Sequence, residues 1–198
     1  MISVDEALTK IMARLPECRP THCTLSNAVG HVLAEDVQSD IDSPPYDKSL
    51  VDGYAVIADD VKRNVVLDVL EEVLAGQTPT KIVRTKTAIQ IMTGAPLPQG
   101  ANAVVMIEQT SRDGQKVIIH QDTIQPEANV MRQATSLSQG EIILSKGTLI
   151  RPIEIGILAE IGCTNVPVYQ APKLAVISTG DELVEATTTP RGGQIRNS

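Results

Sequence analysis

The sequence predicts a mainly β fold with a small helical part, an α+β chain. Three observations lead there. Short Val/Ile-rich runs recur between residues 31 and 120, separated by Gly, Pro and Asp-Gly turn signals. Helical periodicity is clear only near the N-terminus and after Pro152. Late in the chain, Leu174–Ser178 (LAVIS) is a continuous apolar run of the kind buried on both faces of a sheet.

The elements follow in order. Ser3 to Leu15 reads as a helix, with Ser3 as its cap and Glu6 completing a capping box. Val4, Ala7, Leu8, Ile11, Met12 and Leu15 form one apolar stripe, and Pro16 and Pro20 stop the helix. Strands are expected at His31–Val37, Gly53–Ile57, Val65–Leu74, Thr87–Met92, Ala103–Glu108 and Lys116–His120. Val65–Leu74 also fits a helical stripe and is assigned as strand. EIILSKGTLI, residues 141–150, reads as a hairpin turning near Ser145–Gly147. Pro152 suits the first position of a helix running to Ile161, with Gly162 as its left-handed stop. Val166–Tyr169 is a short strand, and Pro172 marks a boundary before LAVIS and the TGDEL turn.

Composition narrows the function. The 198 residues suffice for one or two domains. The core must be aliphatic, because Trp and Phe are absent and Tyr46, Tyr54 and Tyr169 are the only aromatics. Base stacking is therefore poorly supplied, and a net charge of -7 without a basic cluster argues against nucleic acid and anionic membranes. Cys18, Cys23 and Cys163 form an odd set without CxxC, which suits a reducing cytoplasm. Cys18, His22 and Cys23 lack the spacing and the second pair of a zinc knuckle. No apolar run approaches a membrane span.

The densest chemistry lies in PPYDKSLVDGYAV, residues 44–56. Two prolines stiffen the approach to Asp47, Lys48, Ser49 and Asp52, and Asp52-Gly53 turns directly into a strand. The plain alternative is an Asp-Gly turn. Three further motifs follow: IMTGAPLPQGANAVVMIE (91–108), EIGILAEIGCTNVPVY (154–169) and LAVISTGDEL (174–183), with GGQIRNS at the end. Together they resemble the molybdopterin molybdenumtransferase family, whose animal relative is the C-terminal part of gephyrin.

The resemblance covers essentially the whole chain and implies the N-terminal half of a family protein. It implies a leading helix (1–19) that packs on a third domain. It implies an elongated β-rich first domain (20–38 and 141–171) and an inserted β-barrel-like second domain (39–140). Residues 172–198 would begin the α/β domain that binds molybdopterin, truncated here. The implied activity is cleavage of adenylylated molybdopterin, releasing AMP, with insertion of molybdate at the dithiolene sulfurs and help from Mg²⁺. The implied assembly is a homodimer in which this half contributes residues to its partner's site.

Carried over residue by residue, the motifs mark Asp52 and Thr93 as catalytic, and Ser49, Gly94, Arg132, Asp181 and Glu182 as substrate-binding. Asp52 could orient a water or a hydrated cation, or simply close its turn. Asp47 and Ser49 shape the loop. Lys48 replaces the Asn usual there. Gly94 permits close backbone approach, and N–H groups near it could hold an anion. Asp181 could instead cap its turn. After Arg132 the family runs two residues and then Gly-Glu-Asp. Here Ala134, Thr135 and Ser136 follow Gln133, so both acids are missing. That departure keeps open a second reading, a non-catalytic dimerisation or binding module derived from the family.

Overall fold

The computed structural model describes residues 2–173 and 175–197. In chain order the elements are α1 (Val4–Met12), β1 (Pro20–Thr24), β2 (Val37–Gln38), β3 (Lys48–Ser49), β4 (Gly53–Val56) and β5 (Val66–Val73). Then come β6 (Thr87–Ile91), β7 (Ala103–Met106), β8 (Thr110–Asp113), β9 (Lys116–Ile119), β10 (Val130–Met131) and β11 (Ile142–Leu144). The last are α2 (Pro152–Glu160), β12 (Asn165–Tyr169), β13 (Leu183–Val184) and β14 (Ile195–Arg196). The predicted class holds: the fold is mostly β, built on a curled sheet that forms a half-barrel.

That sheet has six strands in the order β7-β4-β6-β5-β9-β8. All neighbours are antiparallel except β5 and β6, which run parallel. Both faces are covered. Tyr54 and Val56 point into one aliphatic core with Leu67, Val105 and Ile119. Ala55, between them, points into another with Val73, Ile89, Ile91 and Val104. This is the period-2 alternation of a strand with an apolar layer on each side. β5 settles as strand, not helix, because Leu67, Val69 and Val73 are buried while Val66, Asp68 and Leu70 are exposed.

A separate core gathers Ala28, Leu33, Val37, Ile150, Leu158, Ile161, Val166 and Val168. β1 and β12 pair beside it, and α2 packs its Leu158 into it. Pro152 occupies the first turn of α2 and Gly162 takes φ +71, as predicted. Glu154 closes the helix start by accepting from the Arg151 N–H at 2.8 Å and from the Arg151 guanidinium. The guanidinium hydrogen bond, opposed in part by desolvation, brings the Glu154 carboxyl down to about 2 from 4.5. The unfolded state therefore binds the proton first, so this contribution is complete above about pH 4.5 and is lost as pH falls toward 2. Urea midpoints measured from pH 5 to pH 2 should fall less steeply in Glu154→Gln than in the wild type. Parallel curves would show that Glu154 is not a source of the acid sensitivity.

Five expectations need correction. The strand expected at His31–Val37 reduces to isolated bridges at Val32 and Leu33 and the two-residue β2. The leading helix ends at Met12 rather than Leu15. Ser3 does cap it, accepting from the Glu6 N–H at 3.1 Å, but the Glu6 carboxylate accepts from Lys10 at 2.7 Å instead of completing a capping box. Residues 141–150 are not a hairpin: Ile142, Leu144 and Leu149 pair with Gln38, Val37 and Val32, so 142–149 runs antiparallel to 32–38. The bulge lies between Ile142 and Leu144, and the Ser145–Thr148 turn keeps register with residues 33–36, the Gly147 N–H donating to Leu33 O.

The buried strand expected at 174–178 is not formed over its described residues. Leu174 lies outside them, residues 175–178 belong to no strand, and Val176 and Ile177 are 95% and 82% exposed. An apolar run becomes a buried strand only when other strands flank it. The nearby β13 and β14 pair with each other instead.

Candidate functional site

Strand direction brings four loops to one end of the six-stranded sheet. Gly53, the first residue of β4, lies opposite Ile91 at the end of β6 and Met106 at the end of β7. Val73, at the end of β5, lies beside Ile91. Asp52, the loop after Ile91, the turn after Val73 and the segment after Met106 therefore meet at this end. The Ile107 N–H donates to Asp52 O at 2.9 Å, and the Met92 N–H donates to Val73 O at 3.1 Å.

Asp52 and Thr93, 41 positions apart in sequence, are in direct contact. One carboxylate oxygen of Asp52 accepts from both the Thr93 N–H and the Thr93 hydroxyl, each at 2.7 Å. Those two donors hold the Asp52 carboxyl below its ordinary value. Both residues are exposed, and with both Thr93 donors on one oxygen the other, Asp52 Oδ2, keeps acceptor capacity. The arrangement is a fixed, ionised carboxylate at a loop cluster, suited to orienting a donor such as water. A group ionised this readily is a weak general base near neutrality.

The loop does not form the anion cradle expected around Gly94. The Thr93 N–H is taken by Asp52, the Gly94 N–H donates to Ser49 O at 2.9 Å, and the Ala95 N–H donates to Met92 O at 3.0 Å. Those donors are spent in holding the loop against β3, where Lys48 bridges Pro96. Gly94 takes φ +83, a conformation that residues with a side chain resist, and a Cβ there would meet the Ala75 methyl at 4.0 Å. Ser49 is buried, its hydroxyl donating to Val51 O at 2.6 Å, so its side chain stiffens the loop from inside.

Arg132 stands in a neighbouring network. Its guanidinium donates to Asp47 and to Glu127, and the Gln133 N–H donates to the second Asp47 oxygen at 2.9 Å. Glu127 first, then Asp47, holds Arg132 firmly cationic. Desolvation raises the Asp47 carboxyl, but the Gln133 N–H and the Arg132 guanidinium outweigh it, and the net shift is downward. Asp42 extends the network by accepting from the Gln133 amide at 2.7 Å and the Gln139 N–H at 2.8 Å. Sequence reasoning missed Asp42 and Glu127 here, because neither belongs to a local motif. Ala134 sits at φ +59, and Thr135 turns its hydroxyl onto Arg132 O at 2.6 Å.

Asp181 and Glu182 are exposed, and every described hydrogen bond of residues 180–197 closes within that segment. They are not joined to Asp52 or Thr93 by any described contact. Among the described residues no group of three or more His, Cys, Asp or Glu side chains is placed to hold a metal. With Ser136 and Leu137 where the motif has its acids, this chain alone does not fit a resident Mg²⁺ site.

A model of the MoeA N-terminal region, domains I and II, matches residues 2–162. The chain belongs to the MoeA N-terminal family. The molybdopterin molybdenumtransferase of Haemophilus influenzae is 34% identical over 196 residues, covering 98% of this chain and 48% of that protein. The enzyme of the same name from Staphylococcus epidermidis is 37% identical over 202 residues, covering 100% and 48%. The crystal structure of a molybdopterin biosynthesis MoeA protein from Pyrococcus horikoshii superposes with a TM-score of 0.83 at 38% identity, over 91% of this chain and 49% of that one. A second crystal structure from that organism gives 0.85 at 31% identity, over 100% and 52%. The chain spans about half the length of the MoeA relatives it matches. No helix among the described residues is long and apolar enough to cross a membrane.

Proposed function

We propose that this MoeA-family chain serves molybdenum cofactor biosynthesis in the cytoplasm, as the N-terminal portion of a molybdopterin molybdenumtransferase. The observation that carries the reading is the Asp52–Thr93 pair, two motif residues held together at 2.7 Å on an exposed loop cluster. The substrates are adenylylated molybdopterin and molybdate. Water adds across the phosphoanhydride, its oxygen bonding one phosphorus as the bridging P–O bond breaks, to give AMP and the pterin phosphate, and molybdate then bonds the two dithiolene sulfurs, one oxo ligand leaving as water with the two thiol protons.

In this reaction Asp52 orients the water or other donor that approaches the anhydride, and Thr93 fixes the carboxylate's direction. Ordinary carboxylates are already ionised at neutral pH. The two Thr93 hydrogen bonds therefore matter for geometry rather than for charge. Arg132, locked between Asp47 and Glu127, braces the loop that carries β3. Asp181 and Glu182 belong to the part of the site that the remaining polypeptide completes. Mg²⁺ would be held mainly by the substrate phosphates and would offset their charge. The working form is a homodimer in which these loops reach the partner's pterin site.

Ser136 and Leu137 in place of the motif's two acids favour one alternative, a binding module of the same lineage without turnover. A single assay separates the two. The 198-residue chain is incubated with adenylylated molybdopterin, Mg²⁺ and molybdate, alone and together with the C-terminal half of a family enzyme. AMP release only in the mixture is expected. Release by the chain alone contradicts the division of labour, and release in neither favours the module.

A further inference from the structure

A cleft of about 490 Å³ opens where the chain leaves the paired strands β1 and β12. Its lining includes Cys18, Val29, His31, Val32, Tyr169 and Pro172. None of these belongs to the Asp52–Thr93 loops or to the Arg132 network, and no Asp, Glu, Lys or Arg lines the cleft. The walls are preformed. The Tyr169 N–H donates to Val32 O at 2.8 Å, the Gly30 N–H donates to Ile150 O at 2.8 Å, and the Gln170 N–H donates to Arg19 O at 2.9 Å. The Lys146 ammonium stands 5.9 Å from the centre of the Tyr169 ring and helps to hold it.

His31 supplies the polar contact best fixed in direction. Its Nδ1 is buried and meets no hydrogen-bond partner among the described residues. A buried N–H without an acceptor is rare and costly, so Nδ1 carries the lone pair and the proton sits on Nε2. The tautomer is assigned from that burial. Nε2 is not shut in with Nδ1: the side chain is half-buried, and the cleft is the open space beside it. One N–H donor therefore faces an uncharged, mainly apolar volume.

We infer that this cleft binds a small neutral molecule, an apolar ring body carrying one carbonyl or ether oxygen, with His31 Nε2 donating to that oxygen. Three features select the class. The volume lies within the range of about 300–1,000 Å³ typical of small-molecule sites. An ion would find no charged lining group to offset its desolvation. The Tyr169 ring and the Val29, Val32 and Pro172 side chains offer apolar contact to a ring. None of these residues takes part in the function proposed above.

Amide NMR of the 198-residue chain tests this with two probes of similar shape, acetophenone and ethylbenzene, the second lacking the oxygen. Acetophenone should shift the Gly30, Val32 and Gln170 amides saturably, at one dissociation constant. It should also shift the His31 Nε2 resonance, which ethylbenzene should move far less. In His31→Phe, acetophenone should lose about tenfold in affinity and ethylbenzene none, because only the first is left with an unpaired oxygen. The Leu33 and Val168 amides report whether the variant is folded, and the Nε2 readout needs only the wild type. Equal losses for both probes, an Nε2 response no larger with acetophenone than with ethylbenzene, or shifts that never saturate overturn the inference. So does loss of acetophenone binding when the C-terminal half of a family enzyme is added, which would make the cleft a seat for polypeptide.

Discussion

Replacing Gly53 with Ala should destabilise the six-stranded sheet by about 3 kcal/mol or more, a large part of a typical domain's stability. The reason is steric. A Cβ at residue 53 would stand 2.9 Å from the Val105 carbonyl carbon and closer still to its oxygen. Those are backbone atoms, so no side chain can swing aside. β4 is buried along its whole length and is hydrogen-bonded on both sides, to β6 and β7. Pushing it away opens both aliphatic cores at once. Gly53 also follows Asp52 directly, so the same shift would draw Asp52 away from Thr93. Urea unfolding followed by far-UV circular dichroism reads the effect. A midpoint equal to that of the wild type would mean that β7 can move without cost, contrary to its packing.

Local chemistry was legible in the sequence, and long-range pairing was not. The Asp52-Gly53 turn into a strand, the Asp113-Gly114 turn before β9 and the Pro152 helix start are each decided by a few neighbouring residues. All three are present. The misread hairpin shows the opposite case. Ser145–Gly147 carries the same turn signal whether the chain folds back or carries on along a partner segment, and the choice is made by residues 32–38, more than a hundred positions away. β8 went unnoticed because Thr110, Ser111, Arg112 and Asp113 are polar. It lies at the sheet's edge, where little burial is demanded.

At the candidate site, motif resemblance singled out Asp52 and Thr93, but it could not say where their hydrogen bonds go. The Gly94 N–H looked available until β3 was seen to take it.

Asp52→Asn should be the most damaging change to chemistry that leaves the fold intact. Asp52 is exposed and contributes no apolar packing, so the side-chain swap costs little stability. The amide nearly matches the carboxylate in shape, and one oxygen can still accept from Thr93. What disappears is the negative charge on the outward oxygen. Loss of a positioned carboxylate in proton or water handling typically costs about 10²–10⁴ in rate. Thr93→Val should cost less, because the charge survives and only its aim is loosened. The wild-type carboxyl, held below 3.8 by Thr93, keeps its charge down to lower pH than an unassisted Asp. In Thr93→Val the acid limb of the rate profile should accordingly move to higher pH.

The decisive measurement is the single-turnover rate of AMP release from adenylylated molybdopterin by this chain, joined to the C-terminal half of a family enzyme, in wild-type and Asp52→Asn forms. A drop of about a hundredfold or more with unchanged urea stability is the expected result. A folded Asp52→Asn protein that releases AMP at the wild-type rate would show that the Asp52–Thr93 pair is merely a turn.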